Sequence, residues 1–201
     1  MPFEALLRFG RWQEILAEPA PDERLRIARA LRHHARGVAL AVTGDLPGAA
    51  LELAALRAEA KLVGARMMGL NAGKDVVAIA EHMLMGELAM VAGDHKAGLR
   101  ALRQAVALQD ALAYDEPPPW TLPTRHALGA ALLLAHQSQQ AERVYRLDLR
   151  HNRENGWALT GLARALRLQK REAEALQVDE RVRQAFARAD EGVTSSCHCL
   201  P

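Results

Sequence analysis

Glycines recur along this 201-residue chain with other small and large residues at fixed offsets, and this repeat constrains its fold more than any other feature. Two segments, 37–56 and 86–105, each begin with a glycine and carry a second glycine seven residues later. The matching positions are Gly37, Gly44, Leu46, Ala49 and Leu53 in the first segment, and Gly86, Gly93, His95, Gly98 and Leu102 in the second. An internal repeat of this kind predicts stacked copies of one supersecondary unit.

Two weaker copies follow. The third keeps Gly129, Ala141 and Tyr145 but has His136 at the second glycine position, and the fourth contains Gly161. Half of the residues are hydrophobic and only 4% are aromatic, a composition that favours closely packed helices over strands. Small residues at the repeated positions would let two antiparallel helices approach closely.

The copies resemble the tetratricopeptide repeat (TPR), and the resemblance covers most of the chain. It implies an all-α, right-handed superhelical solenoid of antiparallel helix hairpins, for which we count about ten helices. The first glycines fall at residues 37, 86, 129 and 161, giving steps of 49, 43 and 32, against a usual period of about 34. We therefore expect extra turns or loops, with segments 22–43, 67–74 and 114–123 as candidates.

A more specific resemblance rests on the blocks YDEPPPW (114–120), LGAALL (128–133), AERVYRLDL (141–149) and NGWALTGL (155–162). They are similar to the C-terminal half of a group of bacterial TPR proteins of unassigned function. Members usually carry further repeats ahead of the matching region, and RFGRWQEIL (8–16) here follows only a short stretch of first helix. We expect a solenoid over residues 1–190 that starts in mid-repeat, with self-association through an exposed N-terminal hairpin as an alternative to a longer array.

The acidic, proline-rich connection between the second and third copies has an aromatic residue at each end. Its prolines restrict the backbone, so we interpret it as a rigid brace, or alternatively as the rim of a binding site. Asp115 or Glu116 could dock against Arg125, and Trp120 could pack over the next hairpin. The residues of this brace are Tyr114, Asp115, Glu116, Trp120 and Arg125.

The first helix of each hairpin in a TPR array lines the concave face, and the resemblance implies that its inward positions form a groove. Such a groove could accept a peptide helix or an extended segment. The side chains that we place there are His34, Met83, Glu87, Met90, His126 and Leu133.

The last residues, 191–201, are expected to form a flexible tail that contains both cysteines of the chain. Cys197, His198 and Cys199 offer ligand types that suit copper or zinc. A complete zinc site would need a further ligand from the body or from another chain. A disulfide is disfavoured here because a relaxed Cys-x-Cys backbone gives poor geometry.

Charge and motifs exclude several classes of function. The 26 basic and 24 acidic residues are spread along the chain, which gives no footprint for nucleic acid. No long apolar run predicts a membrane span, and no motif of a known enzyme class is complete. We expect a cytoplasmic scaffold that binds a protein or peptide and has no cofactor. The alternative is a copper- or zinc-handling protein that uses the tail.

Overall fold

The computed structural model describes residues 2–190 and 192–200, and over these residues it contains ten helices and one short β-hairpin. The prediction of an all-α fold with about ten helices is confirmed. No helix in this part of the chain is long and apolar enough to cross a membrane. The elements are α1 (Pro2–Arg8), α2 (Trp12–Ala17), α3 (Arg26–Val42), α4 (Leu46–Leu62), β1 (Met67–Met68), β2 (Asn71–Ala72), α5 (Gly73–Val91), α6 (His95–Asp110), α7 (Thr124–Leu134), α8 (Ser138–His151), α9 (Gly156–Leu168) and α10 (Glu172–Ala185).

The chain divides into two compact units. The first contains residues 2–124 together with 198–200, and the second contains residues 125–197. The sequence predicts a single solenoid over residues 1–190 and a separate tail. In the structure the residues of that tail belong to the two units.

Several helices begin at a side chain that caps the free amides of the first turn. Asp45 accepts a hydrogen bond from the Gly48 amide at 2.9 Å, and Asp94 accepts one from the Ala97 amide at 2.9 Å. Asn155 caps α9 in the same way. Because the first amides of a helix have no partner within the helix, such caps fix where it begins.

The second glycine of the repeat lies at the turn between the two helices of a hairpin. Gly44 and Gly93 have φ angles of 96° and 84°, a left-handed conformation that side chains disfavour. His136, which replaces this glycine in the third copy, has a φ of 57°. The turn geometry is therefore the same in all three copies, although only two of them have the glycine.

The other repeated glycines allow close packing inside a hairpin of the first unit. A Cβ atom added at Gly86 would lie 2.6 Å from Leu102 Cγ, and one added at Gly98 would lie 2.7 Å from Met90 Cγ. Each large side chain of one helix therefore packs directly on a glycine of the other, which holds α5 and α6 together.

The second unit uses the same device around one aromatic side chain. Tyr145 of α8 is completely buried. Cβ atoms added at Gly129 of α7 and Gly161 of α9 would lie 2.3 Å and 2.2 Å from its Cζ atom. Two of the glycines found from the sequence therefore make room for a single ring.

The first hairpin is short but packed. Phe3 and Ile15 form a buried cluster with Ala35 and Ala39 of α3, and the chain turns at Gly10 with a φ of 63°. The expected short first helix is present as α1. Its main apolar side chains are covered within the first unit, and self-association through this hairpin stays a prediction.

The three segments expected to hold extra turns differ in structure. Segment 22–43 contains α3, the first helix of the next hairpin. Segment 67–74 holds the two-residue strands β1 and β2, which pair antiparallel with Met67 opposite Ala72. Segment 114–123 contains no helix.

Candidate functional site

A groove of about 880 Å³ lies on the first unit between α4 and α6, with α5 as its floor. Four alanines leave space along the floor and one wall, and larger apolar side chains border them. The groove is lined by Leu53, Arg57, His82, Met85, Leu88, Ala89, Ala92, Ala97, Arg100, Ala101 and Gln104.

Two arginines give the groove a positive rim. Arg57 Nε forms an ion pair with Glu81 at 2.7 Å, and its Nη2 donates to the sulfur of Met85 at 3.1 Å. Arg100 of α6 is exposed to solvent. His82 of α5 lies on the floor, where its Nδ1 atom is buried and has no hydrogen-bond partner among the described residues. The groove thus joins an apolar floor to positive charge.

The six side chains predicted to line a concave groove lie in the interior. Each exposes only 2–6% of its surface, as the following values show: His34 5%, Met83 5%, Glu87 2%, Met90 2%, His126 2% and Leu133 6%. The prediction that they form an open binding surface is therefore wrong.

In the first unit, the proline-rich connection covers part of the expected groove. Trp120 packs edge-on against His34 with ring centroids 5.5 Å apart. The two rings and Leu122 help to enclose an apolar cavity of about 20 Å³, which is room for about one water molecule. Burial lowers the pKa of His34 to about 4, so its imidazole is neutral at physiological pH.

His126, in the second unit, belongs to a buried polar network. Its Nε2 atom lies 3.0 Å from Asp148 Oδ2, and Asn152 donates to the other Asp148 oxygen at 3.0 Å. Ser196 Oγ donates to the main-chain oxygen of His126 at 3.1 Å and lies 2.7 Å from the Tyr145 hydroxyl. These contacts give His126 a structural role.

The contacts of segment 113–120 support its interpretation as a brace. Asp115 accepts a hydrogen bond from the Leu70 amide at 2.7 Å. The side chain of Asn71 donates to the main-chain oxygen of Ala113 at 3.0 Å and accepts from the Ala113 amide at 2.8 Å. The connection is thereby joined to the β-hairpin at residues 67–72.

The other brace residues differ in exposure. Tyr114 is exposed and donates to Glu116, whereas Trp120 is buried against α3. The ring of Trp120 contacts His34 of an earlier helix, and its packing over the next hairpin stays a prediction. Arg125 is buried and belongs to the second unit.

The predicted flexible tail is packed over its described residues. Ser196, Cys199 and Leu200 are buried, and the Cβ of His198 lies 3.4 Å from the position of a Cβ added at Gly10. Cys197 and Cys199 are disulfide-bonded, so the expectation that this spacing disfavours a disulfide is wrong. Neither sulfur offers a thiolate in this state, and coordination of copper or zinc through them would require reduction.

The tail also brings a cysteine next to a carboxyl group of the first unit. The sulfur of Cys199 lies within 4.8 Å of a carboxylate oxygen of Glu87. Glu87 Oε2 is buried without a hydrogen-bond partner among the described residues, and burial raises the pKa of Glu87 to about 8. The sequence placed these residues 112 positions apart, and no pattern in it indicated that they meet.

Comparisons with known proteins establish the fold class. No protein-family model matches the sequence, and neither does any curated protein. Two crystal structures do match, both of nearly identical TPR-like repeats from a Podosopora anserina protein assigned as a kinesin light chain, the second being a single-substitution variant. The first has a TM-score of 0.57 at 19% identity and covers 94% of both chains.

The chain has a TPR-like repeat fold. The variant structure agrees, with a TM-score of 0.58 at 19% identity over 94% of this chain and 93% of that one. The TPR-like architecture predicted from the glycine pattern is confirmed. The narrower resemblance to a bacterial group stays a prediction.

Proposed function

We propose that this TPR-like protein is an interaction scaffold whose first unit binds an amphipathic helical peptide in the groove between α4 and α6. The observation that carries the proposal is an open apolar groove of about 880 Å³ bordered by arginine. This volume lies within the range of about 300–1,000 Å³ that ligand sites commonly have.

The lining favours an apolar helix face as the bound surface. Ala89 and Ala92 on the floor and Ala97 on the wall leave room between the larger Leu53 and Met85. Apolar side chains spaced three or four residues apart on a peptide helix could enter these gaps, which is the helix-in-groove mode of peptide recognition.

The rim favours an acidic residue beside that apolar face. Arg100 is exposed at the edge of the groove, and Arg57 is about half exposed and shares its charge with Glu81. A peptide carboxylate near Arg100 would form a charge-assisted hydrogen bond. Complementary charge of this kind contributes mainly to specificity and to the rate of association.

Selection from a displayed library of helix-forming peptides, followed by fluorescence polarisation, tests the proposal. We expect enrichment of peptides with paired apolar residues and at least one acidic residue. Ala89→Trp fills the groove and should weaken binding at least about tenfold, or ~1.4 kcal/mol. Ala107→Trp, on an exposed part of α6 outside the groove, is the matched control and should bind within about twofold.

A second pair of variants tests the charge. Arg100→Glu should weaken the binding of acidic peptides about tenfold through repulsion. Lys96→Glu makes the same change of charge at an exposed position of α6 outside the groove and is the matched control. Melting curves establish that all four variants fold. The proposal fails if no such peptide is enriched, or if the groove variants and their controls bind equally well.

A further inference from the structure

A second groove of the first unit, which we call the edge groove, lies beside the β-hairpin. Its volume is about 460 Å³. Residues 66–68, at β1, form one wall, and residues 24–28, at the start of α3, form the other. Of the two strands, only β1 contributes to this described lining. The edge groove therefore runs along the side of β1 that faces away from β2.

The register of the hairpin turns two main-chain groups of β1 outward. Met67 lies opposite Ala72, and in the next pair along the ladder the Gly73 amide donates to the Arg66 carbonyl at 2.8 Å. Hydrogen-bonded and non-hydrogen-bonded pairs alternate in an antiparallel ladder. Met67 and Ala72 are thus a non-hydrogen-bonded pair, and the N–H and C=O groups of Met67 point away from β2. Outward groups of this kind are a template for another strand.

Contacts within the first unit hold this edge in place. The Leu70 amide, in the turn of the hairpin, donates to Asp115 at 2.7 Å. At the other end, Ile27 of α3 packs on Gly73, where an added Cβ would lie 2.4 Å from Ile27 Cδ1. Because the edge is already ordered, a binding segment would not have to bear the entropic cost of ordering it.

Three arginines line the edge groove, and two of them already have acidic partners. Arg24 forms an ion pair with Asp22 at 2.9 Å, and Arg26 forms one with Glu59 at 3.2 Å. Neither of these carboxylates belongs to the described lining of the groove. The charge that faces the groove is therefore positive.

The third arginine, Arg66, has no acidic partner among the described residues. Its Nη1 atom donates to the carbonyl oxygens of Leu62 and Val63, at 3.0 Å and 2.9 Å. These two bonds orient the guanidinium group and leave its Nε and Nη2 atoms without a described acceptor. A carboxylate could bind this side through two parallel hydrogen bonds, the arrangement that a guanidinium favours.

Apolar side chains lie beside these charges. Leu25 is 56% exposed and Met67 is 59% exposed, and Ile27 is half-buried in the same groove. Successive side chains of an extended segment point to opposite faces. A segment paired with Met67 could therefore cover the apolar side chains with one face and bring an acidic side chain to Arg66.

We propose that the outer edge of β1 binds an extended, acidic segment of a partner protein by strand addition. Main-chain hydrogen bonds to Met67 and a carboxylate on Arg66 would hold the segment, as in other cases of recognition at a sheet edge. A second copy of this chain fits less well, because pairing two β1 edges would bring the arginines of both copies together. The proposal goes beyond the helical peptide of the α4–α6 groove and does not depend on it.

Selection from a displayed library of random nine-residue peptides tests the proposal. The bait is full-length Ala89→Trp, in which the α4–α6 groove is filled, so that failure of that groove as a peptide site does not affect the result. We expect enriched peptides to combine an acidic residue with β-branched or aromatic residues, which favour strands. Fluorescence polarisation then gives their affinities for the wild type and for further variants.

Two substitutions test the role of charge. Arg66→Gln should weaken the binding of the selected peptides about tenfold, because a charge-assisted hydrogen bond is lost. Lys96→Gln removes one positive charge at an exposed position of α6 outside the edge groove. It is the matched control and should bind within about twofold of the wild type.

Main-chain substitutions distinguish strand addition from other binding modes. N-methylation along a selected peptide should find one sensitive amide, the one that faces Met67, between tolerant neighbours whose N–H groups point the other way. On the protein, Met67→Pro removes the outward N–H, which an edge position tolerates, whereas Met67→Val keeps it. Met67→Pro should weaken binding about tenfold relative to Met67→Val.

Melting curves establish that the variants fold. The proposal is overturned if no peptide is enriched, if Arg66→Gln and Lys96→Gln bind equally well, or if no single amide is sensitive to N-methylation. Light scattering tests the other occupant. A dimer that Met67→Pro converts to a monomer would show that a second copy covers the edge, and this result would also overturn the proposal.

Discussion

Substitution of Gly161 by alanine tests the packing on which the second unit is built. The added methyl carbon would lie 2.2 Å from Tyr145 Cζ and 2.5 Å from Cε1, far inside van der Waals contact. The ring cannot retreat, because Gly129 contacts the same atoms from α7 and the hydroxyl is hydrogen-bonded to Ser196 at 2.7 Å. We therefore expect Gly161→Ala to strain the packing around Tyr145, because the ring has no space into which it could move.

The magnitude follows from two opposing effects. Overpacking a buried site costs about 1–3 kcal/mol, and alanine gains up to about 1 kcal/mol over glycine inside a helix. The difference between these effects spans about 0–3 kcal/mol, and we expect Gly161→Ala to lower the free energy of unfolding by about 1–2 kcal/mol, near the middle of that range.

The assay is urea unfolding followed by circular dichroism, carried out in two backgrounds. In Tyr145→Leu the ring is absent, so Gly161→Ala should there be neutral or stabilising by up to about 1 kcal/mol. Gly192→Ala, at a position with no atom within 4 Å of the added carbon, is the control. If Gly161→Ala has the same effect with and without the tyrosine, the proposed packing is refuted.

Three further predictions concern buried or bridging polar groups. Burial raises the folded-state pKa of Glu87 to about 8 from 4.5, so its contribution to stability is complete below pH 4.5 and is lost as pH rises through about 8. The urea midpoint of Glu87→Gln, relative to that of the wild type, should therefore rise between these two pH values. The pKa of His34 is lowered to about 4 from 6.5, so wild-type stability should fall as pH drops through this window, and His34→Phe should remove that dependence. Asp115→Ala removes the acceptor of the Leu70 amide and should reduce stability by about 1 kcal/mol, with faster hydrogen exchange of that amide as the specific readout.

The repeating elements could be predicted from the sequence because their signals are local. Gly44 and Gly93 mark left-handed turns, and glycine facing a large side chain marks each closely packed hairpin, as at Gly86. His136 adopts the same turn without the glycine, so the pattern in the other copies was needed to identify it. These local signals were sufficient to predict the helices and which of them pair in hairpins.

The expected groove was wrong because segments outside the repeat cover His34 and Glu87, and because Met90 packs on Gly98 within its own hairpin. The inward positions of a TPR helix face solvent only when nothing packs on them. Here Trp120 of the proline-rich connection packs on His34, and Cys199 of the tail lies next to Glu87. Neither contact has a local sequence signal, since each joins residues that are far apart in the chain.

The groove between α4 and α6 was missed for a related reason. It is lined from second helices as well as from α5, by residues such as Leu53 and Arg100 that a search of first-helix positions does not consider. Alanines at positions 89, 92, 97 and 101 were a usable signal, because small residues on neighbouring helices leave space between larger side chains.

Hydrogen exchange of the protein with and without a selected peptide tests the central claim, that the α4–α6 groove is the binding surface. We expect slower exchange of backbone amides in residues 82–92 and 97–104, which border the groove, and little change in residues 125–197. Protection confined to residues 125–197, with none along α5 and α6, would contradict it.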